Sequence, residues 1–240
     1  MQTDELLSDA QRMAAIVAPE LTARPLYILG EHPKSLPVPN ALGYATTPTP
    51  LAIRDELLAA GKWRGQGSCI VLIPDQIAAE AQEQDSPLFT FERVFNRTVV
   101  HELAHCLPAG LPIPDLAPTT EGRDLQAARF AMFAADANPP AETPWEGHGI
   151  DFIRRCIHLI NRAWSAGFDV AGGYLCADAL YGLSPVIRYA QALGDEPERM
   201  AGRTFAEIEA TDPSADFLTL FNRDVAAWHA RQTKPEVAAA

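Results

Sequence analysis

The segment His101-Glu102-Leu103-Ala104-His105 sets two histidines four residues apart with a glutamate beside the first. On a helix, side chains at i and i+4 leave the same face one turn apart, so both imidazoles can reach one ion. Zinc takes neutral imidazole nitrogens at roughly 2.0 to 2.1 Å and, in hydrolases, keeps one position for water. The ion lowers the pKa of that water to about 7, and Glu102 is placed to take its proton. The chemistry expected of these five residues is metal-assisted hydrolysis.

Two imidazoles do not complete such a site. The metzincin spacing would put a glycine at position 108 and a histidine at 111, but Pro108 and Leu111 stand there. That leaves a glutamate downstream or a more distant histidine. His148 is the leading candidate, because glycines flank it at the start of a predicted helix, where backbone crowding is low. Asp151, three residues on, could orient its ring. Glu121 and Glu146 are the alternatives. His32, His158 and His229 lie at no ligand-like spacing. Tyr174 and Tyr181 are candidate donors to a developing oxyanion, although packing is the simpler role for both.

The residues must be carried by a scaffold, and the pattern of apolar side chains outlines it. Phe91, Val94, Phe95, Val99, Leu103 and Cys106 recur at steps of three and four, which predicts a helix from Pro87 to about Leu107 carrying the motif. Upstream, a helix is expected over Asp4–Val17, ended by Pro19, and a shorter one over Ile53–Ala60. Strands are expected at Leu26–Leu29, at Ala41–Thr46 and, most strongly, at Cys69–Ile73, closed by Pro74-Asp75. The acidic stretch from Glu80 to Asp85 reads as exposed. Downstream of a proline-rich loop, helices are expected over Asp124–Ala135 and from Ile150, with Ile153, Ile157 and Ile160 on one face. The chain from about Ala177 to Arg231 reads as amphipathic helix in pieces, with Phe221 and Trp228 as core anchors. Strands early and helices late define an α+β fold.

Composition narrows the function. Nineteen basic against thirty-one acidic residues give a formal charge of −12, which repels a phosphate backbone and makes nucleic acid an unlikely partner. Arg123, Arg129, Arg154, Arg155 and Arg162 cluster in sequence downstream of the motif and read as a solvated face. No run of about 18 apolar residues spans a membrane, and the acidic N-terminus does not read as a secretory signal. Cys69, Cys106, Cys156 and Cys176 lack metal or disulfide spacing, so each reads as a small buried hydrophobe and the expected location is cytoplasmic. The tail over 233–240 is expected to lack fixed structure. Oligomeric state is not legible.

The motif pair Val99-Val100-His101-Glu102-Leu103-Ala104-His105 and Gly147-His148-Gly149-Ile150-Asp151-Phe152 resembles the SprT-like zinc metallopeptidases of zincin type, in which a His-Gly-x-x-Phe segment opening a helix supplies the third histidine. The resemblance implies one zinc per chain on His101, His105 and His148, Glu102 as general base and acid, and a protein or peptide substrate. It implies a zincin-like core over 1–165; residues 166–232 lie outside the resemblance and, from their amphipathic pattern, are expected to form a helical C-terminal extension packed on that core. By the same resemblance, a substrate would pair as an added strand along a sheet edge near Cys69–Ile73. Two other functions fit the motif: a metal-binding regulatory or interaction module without turnover, and a zinc hydrolase of a non-peptide amide.

Overall fold

The structure, a computed structural model, describes residues 3–30, 41–84, 86–107, 148–172 and 184–232. It is an α+β fold in which helices predominate over one three-stranded sheet. The expected helix over Asp124–Ala135, the tail over 233–240, His32, Cys176, Tyr174, Tyr181, Arg123, Arg129, Glu121 and Glu146 lie outside the described residues.

Helix α1 (Thr3–Val17) leads through a short 3-10 turn at Pro19–Ala23 into strand β1 (Leu26–Leu29). Strand β2 (Gly43–Thr46), helix α2 (Leu51–Ala59) and strand β3 (Ser68–Leu72) follow. The strand order is β1-β3-β2, with β1 parallel and β2 antiparallel to β3. All five β3 residues are buried because both faces of the strand are covered. Ile70 and Leu72 face the main core, while Cys69 and Val71 meet Tyr27 of β1 and Ile53 and Leu57 of α2. The β-branched run that announced this strand is therefore a central strand. Both of its edges are paired, which rules out substrate docking along Cys69–Ile73.

Pro74 opens helix α3 (Pro74–Glu83), where its fixed φ and missing N–H suit the first turn, so Pro74-Asp75 both closes a strand and starts a helix. The acidic stretch expected to be exposed is the end of this helix, where Glu83 faces solvent and Glu80 is half-buried, 3.7 Å from Arg97. Helix α4 (Phe91–Cys106) begins four residues later than the expected start at Pro87. Thr90 is its N-cap and accepts a hydrogen bond from the Arg93 N–H. Every α4 residue from Val94 to Ala104 is buried, against α1, α3, β2 and β3. At Gly43 of β2 an added Cβ would lie 2.9 Å from Val71 O and 3.2 Å from the Thr98 methyl. Glycine at that position lets the strand approach α4 closely.

Helix α5 (Ile150–Ser165) crosses α4, and Arg93 and Asn96 of α4 hold Asp169 just beyond its end, through the carboxylate and the carbonyl oxygen. Four helices complete the described chain: α6 (Val186–Leu193), α7 (Glu196–Arg199), α8 (Phe205–Glu209) and α9 (Ala215–Gln232). Tyr189, Leu193, Phe205, Ile208, Phe217 and Phe221 from this region belong to the same core as α1, α4 and α5, and Trp228 is buried as well. Cys69, Cys106 and Cys156 are buried free thiols. No described helix is long and apolar enough to cross a membrane.

The arginines of α5 are not a solvated face. Arg154 is 1% exposed and donates to Glu196 Oε1 of α7 and to the carbonyls of Ile208 and Thr211. Arg155 donates to Glu209, and Arg162 to Glu20 and to the carbonyls of Val17 and Arg203. Their partners sit far along the chain, so the sequence spacing that suggested a basic patch carried no information about them. His158 completes the Arg154 cluster, with Nε2 3.0 Å from Glu196 Oε1.

Two outcomes follow from this cluster. Glu196→Ala leaves Arg154 buried without its counter-charge and should cost about 3 kcal/mol in denaturant unfolding; a loss below about 1 kcal/mol would contradict that. Burial lowers the pKa of His158 from 6.5 and outweighs the opposing pull of Glu196, while Arg154 and Arg162 add to the lowering. A depressed base is neutral in both states above pH 6.5, and below that value the unfolded chain binds more protons. Stability therefore falls as pH drops below 6.5, and His158→Gln should flatten part of that slope. Equal slopes for the two proteins would refute the assignment.

Candidate metal centre

His101 and His105 project from one face of α4, as the i, i+4 spacing requires. His148 precedes α5 by two residues, and Gly149, the N-cap of that helix, has extended backbone (φ −73°, ψ −169°). The crossing of α4 and α5 brings the three rings together. His101 Nε2 and His105 Nε2 are 3.1 Å apart, and one ring nitrogen from each of the three histidines lies within 4.8 Å of the others. Ring centroids are separated by 4.8 Å (His101 to His105), 4.9 Å (His105 to His148) and 5.4 Å (His101 to His148).

Two nitrogens bound to one tetrahedral ion at 2.0 to 2.1 Å stand about 3.3 Å apart. The His101–His105 pair already has that separation, and His148 needs to move inward by about 1.5 Å at most. The donor set fits a divalent cation in a second respect. Burial pushes the pKa of all three imidazoles down: His105 to about 3, with the charges of His148 and Arg155 adding; His148 to about 4; and His101 well below 6.5, with His105, His148 and Arg97 adding. Neutral rings keep the lone pairs a metal needs. The buried Nδ1 of His101 has no hydrogen-bond partner, which marks a demand for one that the described residues leave unmet.

Glu102 is 3% exposed, and burial raises its pKa to about 8. A cation nearby would reverse that trend and favour the carboxylate. Asp151, the expected orienter of His148, is exposed in the first turn of α5.

Three features of the centre were not read from residue spacing. Phe152 is buried with its ring against all three imidazoles, at centroid distances of 5.0 Å to His101, 4.4 Å to His105 and 4.7 Å to His148. Only the His-Gly-x-x-Phe resemblance pointed to it. Arg97, one turn before His101, is 2% exposed, and helical periodicity alone could have put it beside the ligand face. Arg155 acts on His105 from the other helix, and nothing local in the sequence signals that.

Comparison with family models, with curated proteins and with solved structures gave no match to this chain.

Metal content by elemental analysis of protein purified without a metal-affinity tag should give about one divalent ion per chain. His148→Ala should lose most of it. Full retention in that variant would take His148 out of the site.

Proposed function

We propose that the chain is a zinc-dependent metallopeptidase of the zincin type, similar to the SprT-like enzymes, that hydrolyses peptide bonds in protein or peptide substrates. The observation that carries this reading is the meeting of three imidazoles, two from α4 and one from just before α5, with the buried side chain of Glu102 directly following the first of them. Zinc is the metal proposed, because a three-imidazole set suits it among the divalent ions. Bound there, it supplies a water of lowered pKa and a Lewis acid for a carbonyl oxygen.

The chain's own residues do the rest. His101, His105 and His148 hold the ion, and Phe152 keeps their rings apart from bulk water on one side. Glu102 takes a proton from the attacking water and delivers it to the leaving amine nitrogen, so that one water and one amide become a carboxylate and an amine. The substrate strand is proposed to run along β2, an outer strand of the described sheet that packs on α4. The buried free thiols support the reading that the protein works in a reducing cytoplasm.

Glu102→Gln should keep its metal and lower cleavage of a fluorescent casein or a mixed peptide library by about 10²- to 10⁴-fold. Cleavage at the wild-type rate by that variant would remove Glu102 from the reaction.

A further inference from the structure

Arg155 stands where three parts of the molecule meet. It lies one helical turn after Phe152 on α5, the helix that presents a ring to every imidazole. Its Nη1 donates 2.6 Å to the carbonyl of Leu107, the residue that ends α4 two positions after His105. Its Nε donates to Glu209, the last residue of α8. The side chain is 13% exposed and that of Glu209 20%, so the pair is largely screened from solvent. Leu107 itself is extended (φ −90°, ψ 139°), so its carbonyl points out of the helical ladder and is available to a side chain.

Glu209 is held independently of the metal centre. Thr204 and Glu207 cap the start of α8 with a reciprocal capping box, and the Ile208 carbonyl accepts from Arg154. Two neighbouring arginines of α5 thus grip α8. Only Arg155 also reaches α4.

We infer that Arg155, fixed by Glu209, is a positioning residue for the metal centre, one that locks the end of α4 against the start of α5 and so sets where His105 stands relative to His148. The inference rests on the metal reading and extends it: residues 205–209, more than fifty positions beyond His148, belong to the scaffold of the centre. A guanidinium is required because its planar fork serves a carbonyl and a carboxylate at once. A lysine ammonium has donors enough for both, but they leave a single atom on a flexible stem and do not reproduce the fixed spacing of Nε and Nη1.

The test is metal binding rather than turnover. Wild type, Arg155→Lys, Glu209→Gln and a control, Arg162→Lys, are stripped of metal and titrated with zinc(II) against a chromogenic chelator. Each is then loaded with cobalt(II) and its visible d–d absorption recorded. Arg162 also bridges elements from α5, to Val17, Glu20 and Arg203, but makes no hydrogen bond to α4. The expected result is a zinc dissociation constant roughly 10-fold weaker in Arg155→Lys, in the range seen when support behind a ligand is lost. A shifted cobalt spectrum should accompany it, with a smaller change of the same sign in Glu209→Gln and none in Arg162→Lys, even where thermal stability falls equally in all three. Wild-type affinity and an unchanged cobalt spectrum in both Arg155→Lys and Glu209→Gln would overturn the inference while leaving the metal centre intact. If the wild type itself takes up neither ion, the metal reading fails, and this inference with it.

Discussion

The crossing of α4 over α5 is the constraint on which the rest of the molecule depends. Neither helix alone can make a three-nitrogen site: α4 offers two imidazoles one turn apart, and the third comes from the residue pair before α5. The crossing must therefore be fixed closely, in the interior of the protein. Phe152 does this locally, touching all three rings at once. The environment that immobilises the rings also keeps them neutral, because burial is the largest influence on each of their pKa values.

A helix that carries such a site cannot be amphipathic in the usual way. Helix α4 is buried on every side, with the sheet behind it and α1, α3 and α5 around it. Arg97 and Glu102 consequently sit in the interior as ionisable groups, a placement that is rare without a partner. Helix α5 solves a related problem with Arg154, Arg155 and Arg162, whose guanidinium groups end on carboxylates and carbonyls of the helices after it and of the α1 region. A buried ion pair adds little net stability, but it penalises any arrangement in which the charges do not meet. Through these pairs the C-terminal helices hold α5 in one orientation.

Much of this was legible in the sequence. The meeting of His101 and His105 was readable because i, i+4 geometry is local, and the strands at Leu26–Leu29 and near Cys69–Ile73 because short apolar runs bounded by proline or glycine favour strands. His148 was found from its flanking glycines and its place at a helix start. What the sequence concealed depends on distant partners. Strand order placed β3 between β1 and β2, against the expectation of a free edge, because pairing is set by a crossover that no local signal encodes. The arginines of α5 looked solvated because Glu196 and Glu209 lie 42 and 54 residues away. Helix α4 starts at Phe91, the first residue of the apolar period, rather than at Pro87, because Thr90 caps it there.

The measurement that tests the central claim most directly is a crystal structure of the protein grown with zinc, with anomalous data collected above and below the zinc absorption edge. The account predicts one edge-dependent peak per chain at the centre of His101, His105 and His148, about 2.0 to 2.1 Å from one nitrogen of each. Absence of a peak there, or a peak on other residues with these three rings left apart, would contradict it.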